Sequence, residues 1–257
     1  MGLFLLIGHH IGYSASPAMQ NAAFAALALD HRYDLADVEE AGLPTVMAAL
    51  RDGETLGANV TAPHKLGIAD LVDDLDAGAA RVGAVNTVVR AADGRLTGMN
   101  TDLPALVDAL RELRADARHA VVLGGGGASR AVLLALEDAG AQRITRVSRL
   151  DWSHIPDFLA DADLLVNATP IGTGSDESPV DAALLRADLA VLDLVYRPNP
   201  TRLIRDARAS GAMAKTGAGV LLGQGWRSLE AWLGVERAPI EAMRAALRAE
   251  LGPGTDV

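Results

Sequence analysis

A short apolar strand running into four consecutive glycines is the feature that most limits what this chain can become. Val121-Val122-Leu123 is followed by Gly124-Gly125-Gly126-Gly127 and then by Ala128-Ser129-Arg130, which opens a helix expected to reach Ala139. Glycine in such a turn lets the main-chain N–H groups at the helix start approach a pyrophosphate that a β-carbon would hold off. Four glycines alone fit a flexible turn equally well. The strand before them and the helix after them favour a dinucleotide-binding α/β domain, with Gly124, Gly126, Gly127 and Ala128 at the phosphates.

The next strand ends in Val147-Ser148-Arg149. A site for NAD of the common type carries Asp or Glu about 20 residues beyond the glycines, where it bonds the ribose 2′-hydroxyl. No acidic residue stands at that strand end. Ser148 and Arg149 do, and an arginine accommodates a 2′-phosphate. NADP is therefore the expected cofactor, with NAD as the alternative; a solvated surface arginine is the bland reading. Only 13 residues separate Arg149 from Asp163, where the following strand approaches. A crossover with its helix needs at least ~10–12 residues, so the doubly wound domain is expected to be shortened after its second strand.

Strands and helices alternate along the whole chain. In the first half, strands are expected at Phe4–Gly8, Tyr33–Leu35 and Ala58–Thr61, with a hairpin of Val85–Arg90 and Gly94–Thr97. Helices are expected from Ala18 to about Leu29, with Ser16 as its cap and Pro17 in its first turn, over Leu43–Arg51, and from Pro63. A helix from Asp102 to about Arg114 leads into the second half. There the strands are Ala120–Leu123, Arg143–Ser148, Leu164–Asn167 and Val191–Leu194. The last helices are about Gly219–Leu233 and Ile240–Leu251, and the tail Gly252–Val257 is expected to fray. Repeated βαβ units with short connections imply a parallel sheet covered by helices.

Charge and composition exclude several functions. The net charge of −10 repels phosphate backbones, so nucleic acid is not an expected partner. There is no cysteine, which removes disulfides, thiolate metal sites and a thiol nucleophile and is compatible with a cytoplasmic setting. No apolar run reaches the ~20 residues that span a bilayer, so no membrane partner is expected. No metal is expected either: His9 and His10 are adjacent and would face opposite sides of a strand.

Three polar clusters stand where buried strands end. Ser14-Ala15-Ser16 places two hydroxyls at a helix start, whose N–H groups suit a carboxylate. Asn59 and Thr61 alternate along one strand face, and Lys65 follows, expected in the first turn of a helix. Asn86-Thr87 and Asn100-Thr101-Asp102 form the third. A lysine gains nothing from a helix N-terminus, so its placement there points to chemistry. Ketone reduction needs a hydride from a cofactor and a proton from the protein, and a lysine ammonium is a ready donor at neutral pH.

Taken as a set, these residues resemble the shikimate dehydrogenase family from about Ile7 to Gly234. Ser14-Ala15-Ser16-Pro17 is similar to the family's carboxylate site, and Asn59-Val60-Thr61-x-Pro-x-Lys65 to its catalytic motif. Gly83 to Thr87 and Asn100-Thr101-Asp102 match two further signatures. The resemblance implies Lys65 as acid/base with Asp102 beside it. It implies Ser14, Ser16, Asn59, Thr61, Asn86, Tyr196 and Gln224 at an alicyclic hydroxy-acid. It also implies Thr169, Leu194 and Gly217 near the cofactor, through Asn167-Ala168-Thr169-Pro170 and Asp193-Leu194-Val195-Tyr196. The expected layout is an α/β substrate domain over residues 1–100, a Rossmann-like NADP domain over 101–238, and a final helix, 239–251, returning to the first. The usual Asn-Arg-Thr of the family is Ser148-Arg149-Leu150 here. The activity implied is NADP-linked reduction of 3-dehydroshikimate by a monomer or homodimer. A quinate or aminoshikimate dehydrogenase, or a ligand-binding homologue without activity, are the alternatives.

Overall fold

The computed structural model describes residues 2–113, 118–252 and 254–257. Its contacts divide into two compact units. One comprises the residues up to Asp102 together with Leu222–Glu250; the other comprises Leu103–Leu221 and Leu251–Val257. The chain therefore rejoins the first unit at Leu222, ahead of the residue 239 expected from sequence.

The elements of the first unit begin with β1 (Gly2–Gly8), α1 (Ser16–Ala26), β2 (His31–Asp37), α2 (Leu43–Asp52) and β3 (Gly57–Val60). They continue with β4 (Asp74–Leu75), α3 (Ala77–Val82), β5 (Thr87–Arg90) and β6 (Leu96–Met99). The sheet order is β2-β1-β3-β5-β6-β4. β1 pairs in parallel with both its neighbours, and β5 runs antiparallel to β3 and β6. Ile7, Leu50, Val85, Val88 and Leu96 are fully buried in its core, each contributing roughly 1.5–3 kcal/mol by burial.

α4 (Asp102–Glu112) leads into the second unit; Arg114, its expected end, lies outside the described residues. There follow β7 (His119–Leu123), α5 (Gly127–Asp138), β8 (Arg143–Val147), α6 (Ile155–Leu159) and β9 (Leu164–Asn167). β10 (Ala190–Asp193), α7 (Arg202–Ala209) and β11 (Ala214–Thr216) complete its sheet, ordered β11-β10-β9-β7-β8 and parallel throughout. β8 is an edge. A 3-10 segment at Arg149–His154 and the short α6 are all the helix that lies between it and β9, in agreement with a sheet cut short after its second strand. α8 (Ala218–Leu233) passes from this unit back to the first, where α9 (Ile240–Leu251) buries Met243 and Leu247. No helix among the described residues is long and apolar enough to cross a membrane.

Three local expectations fail. No α-helix begins at Pro63: residues 62–66 are turns leading into a 3-10 segment at Gly67–Asp70. The Lys65 carbonyl accepts the N–H of Val85 at 2.8 Å, which competes with helical bonding. The cap of α1 is Ala15, not Ser16; the Ser14 hydroxyl takes the Ser16 N–H instead, at 3.2 Å. The tail does not fray into solvent. Thr255 is buried and bonded to Asn199, and Asp256 pairs with Arg208.

Candidate active site

In the first unit, antiparallel pairing brings the second and third polar clusters together at one end of the interior strands. Asn59 pairs with Thr87 across β3 and β5, and Thr87 with Met99 across β5 and β6. The start of β5 therefore stands beside the ends of β3 and β6, where Asn86, Lys65 and Asp102 lie.

Lys65 Nζ is 2.6 Å from Asp102 Oδ2, with the two side chains 16% and 11% exposed. The other carboxylate oxygen, Oδ1, accepts from Asn86 Nδ2 at 2.8 Å. Asn86 in turn accepts the Thr101 N–H at 2.7 Å and stands 3.5 Å from Gln224 Oε1. Both Asp102 oxygens are thus held, and the ammonium has a fixed position rather than a range of rotamers. The Ser16 and Thr61 hydroxyls are engaged by no described residue; Ser16 is buried and Thr61 half-buried.

Asn59 is differently placed. It is 3% exposed. Its oxygen accepts from Tyr33 at 2.8 Å; its amide donates to Asn86 O, Thr87 Oγ1 and Ser228 Oγ at 3.1, 3.2 and 2.9 Å. Its two N–H donors are used inside the fold, and its oxygen is held by Tyr33. Ser228, on α8, was not singled out in the sequence. Its hydroxyl is 2.8 Å from Thr87 and 3.2 Å from Thr101, and it donates to Gln224 O at 2.9 Å. Its position four residues after Gln224 is the one signal that it shares a helix face with it. Asp37 was also missed. Its carboxylate accepts the N–H groups of His10 and Ile11, pinning the loop before Ser14. The His10 bond holds its carboxyl below the usual range.

In the second unit, Gly124 adopts φ +124°, and a β-carbon there would meet Ala168 O at 2.8 Å. Its N–H donates to Val147 O at 3.1 Å, which sets the turn beside the end of β8. Gly126 is the cap of α5 without a side-chain bond, and the space before Gly125 and Gly126 is open. Gly127 and Ala128 form the first turn of α5, next to this opening. Arg149 is exposed at the strand end, while Ser148 is half-buried and bonded to Asp151. The glycine cradle, the twelve-residue helix whose cap makes no side-chain bond, and the exposed guanidinium fit a phosphorylated dinucleotide.

Asp193 ties the remaining loops of this unit together. It accepts from Asn167 Nδ2 at 2.8 Å, Val195 N at 3.1 Å and Thr201 Oγ1 at 2.6 Å. Asn167 Oδ1 in turn accepts the N–H and hydroxyl of Thr169. Burial pushes the Asp193 carboxyl up to about 6, against these hydrogen bonds. Leu194 and Tyr196 lie on the turn so held. A β-carbon at Gly217 would come within 2.1 Å of Leu194 O, so only glycine admits this approach.

Two family models match the chain: the shikimate dehydrogenase substrate binding domain over residues 6–88, and the shikimate 5′-dehydrogenase C-terminal domain over residues 217–248. A shikimate dehydrogenase (NADP(+)) of Methanopyrus kandleri is 41% identical over 272 residues, spanning 94% of this chain and 93% of that protein. The crystal structure of shikimate 5-dehydrogenase from Thermus thermophilus, in complex with NADP(H) and shikimate, superposes with a TM-score of 0.86 at 34% identity. It covers 98% of this chain and 100% of its own. The Listeria monocytogenes enzyme, solved with shikimate and NAD, gives a TM-score of 0.78 at 30% identity and covers 96% of each chain. With two family models matched and identity of this order along almost its whole length, the chain belongs to the shikimate dehydrogenase family.

Proposed function

We propose that this chain is an NADP-linked shikimate dehydrogenase, reducing the C3 ketone of 3-dehydroshikimate to the alcohol of shikimate and running the reverse reaction. The observation that carries the reading is the Lys65–Asp102 pair, 2.6 Å apart and bracketed by Asn86.

NADPH, when bound, supplies the hydride to C3. Lys65 supplies the proton to the developing alkoxide oxygen and recovers it in the oxidation direction. Asp102 keeps the ammonium in place and accepts a substrate hydroxyl. Asn86 orients Asp102, and Gln224 stands within reach of Asn86. Ser14 and Ser16 hold the substrate carboxylate beside the N–H groups that open α1. Thr61 offers its unengaged hydroxyl to the ring. Asn59 acts through Asn86 and Thr87 as a positioning residue, since its own amide is fully bonded. Gly124, Gly126, Gly127 and Ala128 cradle the pyrophosphate, and Arg149 takes the 2′-phosphate. Thr169, Leu194 and Gly217, in the second unit, are assigned to the cofactor, and Tyr196 of the same unit to the substrate. The chain is assigned to the cytoplasm as a monomer or homodimer; light scattering of the purified protein decides between the two.

The test is a panel of shikimate, quinate and aminoshikimate with NADP⁺ and NAD⁺. A dominant rate with shikimate and NADP⁺ supports the reading. Faster turnover of quinate or aminoshikimate would reassign the substrate while leaving the reaction class standing. Binding of shikimate without any turnover in either direction would refute it.

A further inference from the structure

The sequence shows no acidic residue at the end of β8, yet the fold puts a carboxylate there. Asp151 folds back three residues: its Oδ2 accepts from Ser148 Oγ at 2.6 Å and from Ser148 N at 3.2 Å. The Ser148 hydroxyl in turn accepts the Leu150 N–H at 3.3 Å, closing a capping box over residues 149–154. Ser148 directly follows Val147, whose carbonyl holds the N–H of Gly124. The Asp151 carboxylate is therefore anchored to the strand end that adjoins the glycine turn, two residues from Arg149. The Ser148 bonds hold it below the usual carboxylate range, with help from His154 and Arg146, so it is anionic at neutral pH. Its Oδ1 is engaged by no described residue.

We propose that Asp151 is a specificity-determining residue for the cofactor: its carboxylate opposes the 2′-phosphate that Arg149 attracts and gives the 2′-hydroxyl of NAD an acceptor. The proposal rests on the dinucleotide reading of the second unit. It follows from the position of one charge. An arginine and a carboxylate at the same strand end act in opposite senses on a ribose phosphate. The Asp151 oxygen left unengaged can accept the ribose 2′-hydroxyl, the bond that an acidic residue makes in NAD sites. The chain then uses both cofactors, with a preference for NADP narrower than Arg149 alone would give.

Asp151→Asn deletes the charge and keeps an oxygen able to accept both Ser148 bonds, so the cap survives. Titration calorimetry of the full chain with NADP⁺ and with NAD⁺ reads the two dissociation constants directly, independently of turnover. The variant should bind NADP⁺ about three- to tenfold more tightly and NAD⁺ no better than wild type, the scale of one like charge beside a phosphate at an exposed site. Asp151→Ser, which also removes the charge and keeps a hydroxyl acceptor on a shorter side chain, should shift the ratio the same way and covers the case in which the Asn variant does not fold. If both nucleotides bind and neither variant moves their ratio by more than about twofold, Asp151 is only a cap and the proposal is overturned. If the wild type binds neither nucleotide at millimolar concentration, the dinucleotide reading itself is lost.

Discussion

Asn86 and Asp102 are joined at 2.8 Å through Nδ2 and Oδ1, which leaves Oδ2 of the same carboxylate to Lys65. One oxygen is committed to orientation and the other to the ammonium. A carboxylate held at both ends positions its partner; one that swings freely does not.

Lys65→Ala should therefore remove the proton donor without disturbing the sheet, because Lys65 follows β3 on a turn. Turnover should fall by about 10²–10⁴-fold, with the circular dichroism spectrum unchanged. Asp102→Asn, which keeps the Asn86 contact through its carbonyl, should cost less in turnover and raise KM as well. Full activity in Lys65→Ala would remove this lysine from the reaction.

Ser228→Ala should matter more than a conservative change on a late helix suggests. It removes the shortest hydrogen-bond partner of buried Asn59 Nδ2 and Thr87 Oγ1, leaving them their longer bonds of 3.1 and 3.2 Å. A loss of about 1–3 kcal/mol is expected in urea unfolding. KM for shikimate should rise, because Asn86 is held by the same network. A variant as stable as wild type would show that water replaces the hydroxyl at no cost.

Gly124→Ala tests the cofactor cradle. The added β-carbon would meet Ala168 O at 2.8 Å in a backbone held at φ +124°, so the turn itself must move. The dissociation constant for NADP⁺ should increase by at least about tenfold, a shift of roughly 1.4 kcal/mol. Shikimate binding, measured separately, should be unaffected.

Asp193 predicts a pH dependence of stability. Its carboxyl is raised to about 6 in the fold, whereas in the unfolded chain it titrates near the ordinary aspartate value. Between these two values the native state keeps a proton that the unfolded state has released. The contribution of this group to stability therefore falls as pH rises through that window, by about 3 kcal/mol in all, and is level above it. Asp193→Asn cannot titrate. Its stability relative to wild type should climb from pH 4 to pH 6 and then stay constant. Parallel curves across that range would exclude the titration, while a uniformly unstable variant would identify the ionised carboxylate as a structural requirement.

The order of residues was enough to settle the local grammar of this protein. Val121 to Leu123, the four glycines and the helix after them announce themselves through neighbours within one turn. The same is true of β9, of α9 and of the Ala91–Gly94 hairpin turn. The shortened sheet was legible too, because a count of residues between Arg149 and Asp163 limits what fits. The helix α7 was available in principle: Thr201 caps it, and Leu203, Ile204 and Ala207 lie on its buried face. Which polar groups face a ligand and which face each other was left to the packing of the folded chain. Asn59 and Ser228 are 169 positions apart, and no periodicity links them. Nor does spacing reveal that the Lys65 carbonyl would bond Val85 in place of a helix, that Thr255 would dock on Asn199, or that Asp151 would fold back onto Ser148. Hydrogen bonds are short and directional, so a residue's role depends on the atom that stands about 3 Å from it. That neighbour is chosen in three dimensions, where order along the chain no longer measures distance.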